Sequence, residues 1–321
     1  MCFAKSTLRS ALVKLRVPLS FSTVPAASEI ANPSVVPMAS LAEPGWTTVI
    51  RPNRGVFDWR LGELLGCRDL ISLFVWRDFV AVYKQTILGP LWHIIQPLMT
   101  TLMFTLIFGR VAKLPTDGVP PFLFYLSGTV VWAYFASCLT KTSNTFVANA
   151  HLFGKVYFHR LAIPVSVVLS NLIAFAIQFV VFLAFLAIYA AQGEAVRPNL
   201  WLLSLPVLLV MMAGYGLGFG IMVSALTTRY RDLAQLVTFG VQLWMFASPV
   251  IYPASHMPEN YRWIIALNPM TPVIETFRYG FLGSGAPAPF QLAISMVAMF
   301  GVIAIGMLLF NRVEQTFMDT V

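Results

Sequence analysis

Six stretches without a single Asp, Glu, Lys or Arg decide what this chain can fold into. They lie between Lys84 and Arg110, Asp117 and Lys141, Arg160 and Glu194, Arg197 and Arg229, Asp232 and Glu259, and Arg278 and Arg312. Each is rich in Leu, Val, Ile and Phe and exceeds the roughly 20 apolar residues that an α-helix needs to cross hydrocarbon. Spans are therefore expected at Leu91–Phe108, Phe122–Leu139, Val165–Tyr189, Leu200–Leu226, Leu233–Ile251 and Phe290–Phe310. Of the 321 residues 58% are hydrophobic and 11% charged. A soluble domain carries roughly 25% charged residues, so this chain has too little polar surface to cover its own core and needs lipid as solvent.

Orientation follows from the basic residues. Sixteen of the 21 Lys and Arg fall on one side of the expected spans, and five (Arg110, Lys113, Arg197, Arg262 and Arg278) on the other. The side richer in Lys and Arg is the cytoplasmic one, which places both termini there. The net charge of +8 thus reads as loop topology and not as a nucleic-acid surface. Cys2, Cys67 and Cys138 are scattered and support neither a disulfide framework nor a metal site.

Three further regions stand out. Residues 1–49 form a tail with Ser, Ala and Pro clusters, open to three readings: disorder, a targeting segment, or a start placed too early with Met38 as the true one. Residues 50–90 form a cytoplasmic segment. Within it Leu61, Leu64, Ile71, Val75, Phe79 and Val82 recur at helical spacing, as expected of an amphipathic helix on the membrane surface or of one packed on a soluble neighbour. Residues 91–321 form the six-helix membrane domain. Inside it, Tyr252–Gly285 holds two short apolar pieces split by Asn268-Pro269 and Thr271-Pro272, which fits a re-entrant hairpin or a simple outer loop.

The spans contain no ionisable residue apart from His93, which argues against a carboxylate-driven pump and against acid–base catalysis within the membrane. No G-x-x-x-x-G-K-[ST] phosphate loop occurs, so nucleotide is not held here in that manner, and no His/Cys cluster marks a metal site. Gly214, Gly216, Gly218 and Gly220 form overlapping G-x-x-x-G pairs, a signature of close helix approach. Trp132, Tyr134, Phe135, Trp244, Phe246 and Tyr252 cluster in the second and fifth spans, either as interfacial anchors or as platforms for sugars. The loop Val147–Pro164 is polar, then basic and aromatic. It is either a short helix that would project Leu152, Phe153, Val156 and Phe158 toward something outside the membrane, or an ordinary basic loop of the cytoplasmic side.

Several segments, taken together, resemble the permease subunit of ABC-2-type exporters of polysaccharides and polyol phosphates (O-antigen, capsule, teichoic acid). They are RDLISLFVWRDFVAVYKQTILGPLWHIIQP at Arg68–Pro97, HLFGKVYFHRLAIP at His151–Pro164, TTRYRDL at Thr227–Leu233, SPVIYP at Ser248–Pro253 and NPMTPVIETFRYGFLG at Asn268–Gly283. They run in family order and cover nearly everything after Val49. The family usually has Pro at the position of His159 and often Asn at that of His151, so the loop departs there.

The resemblance implies an all-α membrane protein with six transmembrane helices, an N-terminal amphipathic interface helix, and an outer re-entrant hairpin between helices 5 and 6. It implies two copies paired with two copies of a separate ATPase, which holds ATP and Mg while this chain holds no cofactor and catalyses nothing. Contact with that ATPase would come from His151, Leu152, Phe153, Lys155, Val156 and Phe158, and from Arg229, Arg231 and Asp232. Asn268, Pro269, Pro272, Glu275 and Arg278 would belong to the outer gate, and the six aromatics would line the translocation path. Lys84 and Arg160 are the basic residues expected to meet a glycan pyrophosphate. The implied location is the bacterial cytoplasmic membrane and the implied cargo a lipid-linked glycan. A drug or small-lipid efflux permease is the alternative on the same fold, and a membrane transferase the alternative in another class.

Overall fold

The computed structural model describes residues 61–84, 88–149, 158–194, 196–227, 232–285 and 289–317. Its described residues are helical, with no strand among them. The elements are α1 (Leu61–Gly66), α2 (Arg68–Lys84), α3 (Trp92–Phe104), α4 (Pro121–Ser143), α5 (Thr145–Ala148), α6 (Ala162–Ala191), α7 (Leu205–Thr227), α8 (Leu233–Phe246), α9 (Arg262–Leu267), α10 (Thr271–Leu282) and α11 (Pro289–Phe317). A π-helical turn, Thr105–Val111, prolongs α3, and a 3-10 turn, Leu200–Ser204, leads into α7.

Five of these segments are long and apolar enough to cross a membrane: Trp92–Val111, Pro121–Ser143, Ala162–Ala191, Leu200–Thr227 and Pro289–Arg312. They lie within a few residues of the expected spans. The remaining expected span, Leu233–Ile251, is helical only as the 14-residue α8. At 1.5 Å per residue such a helix is about 21 Å long, short of the roughly 30 Å hydrocarbon layer. The cause is Ser248-Pro249: proline lacks the amide the helix needs and disfavours helical backbone just before it. The chain turns there instead.

The centre of the assembly is α4. Pro121 at its first turn supplies a preset backbone angle and leaves no orphan amide. Most of α4 is buried, including Leu123, Phe124, Tyr125, Val130, Val131 and Phe135, and α3, α6, α7, α8 and α10 all pack on it. A helix apolar all round belongs in the middle of a bundle. A buried pair of hydroxyls, Thr101 and Thr129 at 3.1 Å, ties α3 to α4.

The glycines of α7 serve two neighbours at once. A Cβ on Gly220 would come within 2.5 Å of Thr142 Cβ on α4, and Gly216 faces Cys138 on the same helix. Gly218 faces Val302 and Gly214 faces Met299, both on α11. The two G-x-x-x-G pairs thus clear opposite faces, and α7 is pressed between α4 and α11. Tyr215 completes the second contact through its hydroxyl and Ser295 Oγ, 2.9 Å apart.

The N-terminal helices break at Cys67. α2 then packs against α6, with Phe74 buried and its ring 5.8 Å from that of Phe158. Leu73 and Trp76 point outward, 60% and 63% exposed. Ile71, Val75 and Phe79 of the stripe expected from spacing are part-buried beside Phe74.

Candidate functional site

Three regions carry the expected functional residues. The first is aromatic. Trp132 and Phe135 of α4 meet Trp244 of α8, with ring centroids 6.0 and 5.3 Å apart and near-perpendicular planes. Phe219 of α7 joins them at 5.5 Å from Trp244. This edge-to-face cluster packs three helices together. Tyr134 points elsewhere, onto Phe175 of α6 at 5.3 Å. Phe246 is half exposed, and Tyr252 donates its hydroxyl to the Phe246 carbonyl at 3.2 Å. The six expected residues therefore divide among a packed cluster, a cavity wall and the turn after α8.

That cavity is the second region. A space of about 380 Å³ lies among α3, α4 and α6, walled by Gln96, Thr100, Trp132, Tyr134, Phe175 and Gln178 among others. A second, of about 270 Å³, continues toward Asp78 and Phe79 of α2. The two share His93, Lys141, Asn171 and Ala174. Lys141 Nζ donates to Asn171 Oδ1 at 2.8 Å. Lys141 enters the sequence argument as the end of a charge-free interval and as one of the sixteen basic residues on the cytoplasmic side, which hides its position inside the last turn of a transmembrane helix. Asn171 lies in the middle of an apolar run, where a buried amide is itself a signal.

The third region surrounds α10, within the stretch where an outer hairpin is expected. Arg278 of α10 is 3% exposed and its guanidinium stacks 3.7 Å over the Phe124 ring. Its Nη2 donates to the carbonyls of Val250 at 2.6 Å and Phe124 at 3.3 Å, its Nη1 to that of Pro249, and its Nε to Ser127 Oγ at 3.3 Å. Gly128 makes room for it: a Cβ there would sit 2.6 Å from Nη2. One side chain thus fastens α10 to α4 and to the turn after α8. The planar fork of arginine suits this use better than a lysine ammonium.

Other contacts reinforce the fastening. Asn268 donates to Ser248 Oγ at 2.7 Å and accepts from the Met270 amide at 3.0 Å, while the Pro269 carbonyl accepts from Ser295 Oγ at 2.8 Å. Pro272 is buried in the first turn of α10. Gly283, at φ 75°, ends α10 in the left-handed conformation that favours glycine. On its apolar side α10 sets Phe277 and Phe281 against Phe182 and Phe179 of α6, at 5.4 Å each. Burial pushes the Glu275 carboxyl up from its ordinary value, opposed by Arg278, raised further by Asp117, and opposed again by the Ala254 amide. Ser255 donates to Asp117 at 3.1 Å, and His256 Nδ1 lies 3.3 Å from the same carboxylate.

Of the residues expected to meet an ATPase, His151, Leu152, Phe153, Lys155, Val156, Arg229 and Arg231 lie outside the described residues, as does the tail. Phe158 rests against Phe74, and exposed Asp232 immediately precedes α8. The helix ends that flank this region are joined: Thr227 Oγ1 donates to the Ser143 carbonyl at 2.9 Å, and Phe146 of α5 stacks 5.0 Å from Phe310 of α11.

A bundle of five apolar, membrane-length helices with a polar cavity among them defines an integral membrane protein. The chain belongs to the ABC-2 type transporter family, whose profile matches residues 69–282. It is 30% identical over 262 residues to an O-antigen export system permease, RfbA, of Klebsiella pneumoniae, covering 81% of this chain and 97% of that protein. RfbA of Myxococcus xanthus is 27% identical, covering 76% and 93%. The polysialic acid transport protein KpsM of Escherichia coli is 24% identical, covering 78% and 95%.

Proposed function

We propose that this chain is the membrane subunit of an ATP-driven exporter that moves a lipid-linked polysaccharide across the bacterial cytoplasmic membrane. The observation that carries this reading is the similarity to an O-antigen export permease along 97% of that protein's length. Two copies of the chain would pair with two copies of a separate ATPase, which binds ATP and Mg. Both termini would lie in the cytoplasm, as the distribution of Lys and Arg favours.

The helix ends at 143–146 and 227 support a route for force. A push on the loop between α5 and α6 moves α4 and α7 together, because Thr227 bonds Ser143, and reaches α11 through Phe146 and Phe310. At the other end, Arg278 holds the hairpin closed onto α4. Displacing α4 against the turn at 249–250 separates the acceptors that Arg278 bridges, which would release the outer gate. Largely uncharged walls suit a hydrated polymer that must slide without binding too tightly to leave.

Depletion of the chain in its native cell tests this. Lipid-linked polymer is expected to accumulate inside while surface glycan falls. Normal surface glycan on depletion would exclude the reading and favour efflux of a smaller molecule.

A further inference from the structure

The junction of the two membrane cavities holds an unusual donor set. Lys141 is an exposed cation in the last turn of a transmembrane helix, at the end where a long basic side chain can reach the interface. Its partner there is neutral, the Asn171 amide oxygen, and no carboxylate stands within ion-pair distance of it among the described residues. Asp78 faces the same cavity, but its Oδ1 already takes two bonds from Arg77, at 2.8 and 2.9 Å. Asn171 is 2% exposed, yet its Nδ2 donor has no hydrogen-bond partner, with only the weakly accepting Cys138 thiol alongside. The Ser170 hydroxyl, on the same cavity wall, is also buried and unpartnered. Buried polar groups are ordinarily satisfied, and an orphan donor is costly.

A point cation flanked by two idle neutral donors matches a phosphate oxyanion, which accepts several hydrogen bonds and needs one balancing charge. We propose that Lys141, Asn171 and Ser170 bind the phosphate group of the carrier lipid. Its chain would lie against the bilayer, and its first sugars would extend into the larger cavity beside Tyr134, Gln96 and Gln178. The assignment rests on the exporter reading for the identity of the cargo, but not for the chemistry of the site. It displaces Lys84 and Arg160 as the residues meeting that phosphate.

The test uses the full chain with its ATPase in phosphatidylcholine nanodiscs. The probes are labelled decaprenyl diphosphate, the uncharged alcohol decaprenol, and inorganic pyrophosphate as a soluble competitor. The wild type is expected to retain the diphosphate in preference to the alcohol. Lys141→Met and Asn171→Asp should each weaken retention about tenfold or more, the scale of a charge-assisted hydrogen bond, whereas Lys141→Arg keeps most of it. Asn171→Asp decides between roles. It strengthens the contact to Lys141, so a purely structural pair tolerates it, while an anion site is blocked by it.

Competition by inorganic pyrophosphate would support the site and show that the phosphate alone suffices. Specific retention without competition would support it as a lipid-headgroup site. Equal retention of diphosphate and alcohol, or wild-type retention by folded Asn171→Asp, overturns the proposal and leaves the exporter reading standing. Lys141-dependent binding in a chain whose depletion leaves surface glycan normal would retain the site and remove its assigned cargo.

Discussion

Replacing Arg278 with Met removes a side chain that joins α10, the central helix and the turn after α8. The Phe124 carbonyl keeps a partner, because Ser127 Oγ donates to it at 2.7 Å. The Pro249 and Val250 carbonyls are otherwise left without the donors Arg278 supplies. Each buried acceptor stripped of its partner costs about 1–3 kcal/mol, and the stacking on Phe124 contributes about 0.5–2 kcal/mol. Relief of the buried charge returns part of this. The net expectation is a loss of about 3 kcal/mol, or roughly 6–12 °C in unfolding temperature by the scaling of domains of this size. Arg278→Lys separates geometry from charge. A lysine ammonium keeps the desolvation cost but cannot span carbonyls on both sides of the fork, so Lys is expected to recover less than half of the loss. Thermal unfolding in detergent measures the size of the effect, and hydrogen exchange over residues 247–252 and 271–282 localises it. If Arg278→Lys unfolds with the wild type and exchange there is unchanged, the fork does not fasten α10.

Gly220→Ala gains about 1 kcal/mol in helix propensity but forces α7 off Thr142, at about 1–3 kcal/mol, so unfolding temperature should fall. Gly240→Ala meets nothing within 4 Å and should raise it slightly by the same assay. Tyr215→Phe leaves Ser295 Oγ its bond to Pro269 but loses the α7–α11 bridge, at about 1–2 kcal/mol in denaturant titration. The raised folded pKa of Glu275 means the native state holds its proton more tightly than the unfolded state. Stability should therefore fall as pH rises from the ordinary carboxylate range through that raised value, and Glu275→Gln should flatten this part of the pH profile. Phe153→Ala or Lys155→Glu should weaken association with the ATPase without affecting membrane insertion, as co-purification and membrane fractionation would show.

Much of the bundle was legible because charge in hydrocarbon is so costly that its absence marks a span directly. The same reasoning overlooks features that carry no charge. Pro249 cuts α8 short inside an interval that runs uncharged to Glu259, and only backbone chemistry reveals it. The glycine spacing predicts close helix approach, which the structure shows, but spacing alone does not say that alternate glycines of α7 serve α4 and α11 separately. Arg278 is visible in the sequence as a basic residue on the outer side, whereas its burial depends on carbonyls 28 and 29 residues upstream. Lys141 was concealed by its use as a boundary marker. It meets Asn171 only because α4 and α6 pack side by side, a relation that periodicity within one helix does not contain.

The central claim is that this chain conducts a lipid-linked glycan when a partner ATPase supplies the force. Proteoliposomes containing the purified permease, its ATPase and a lipid-linked glycan test it, with a glycosidase trapped inside the vesicles. With the ATPase facing out, adding ATP and Mg should deliver glycan to the trapped enzyme, and Lys155→Glu should reduce that delivery. Delivery at the same rate without ATP, or none from a complex that hydrolyses ATP in the presence of the glycan, would contradict it.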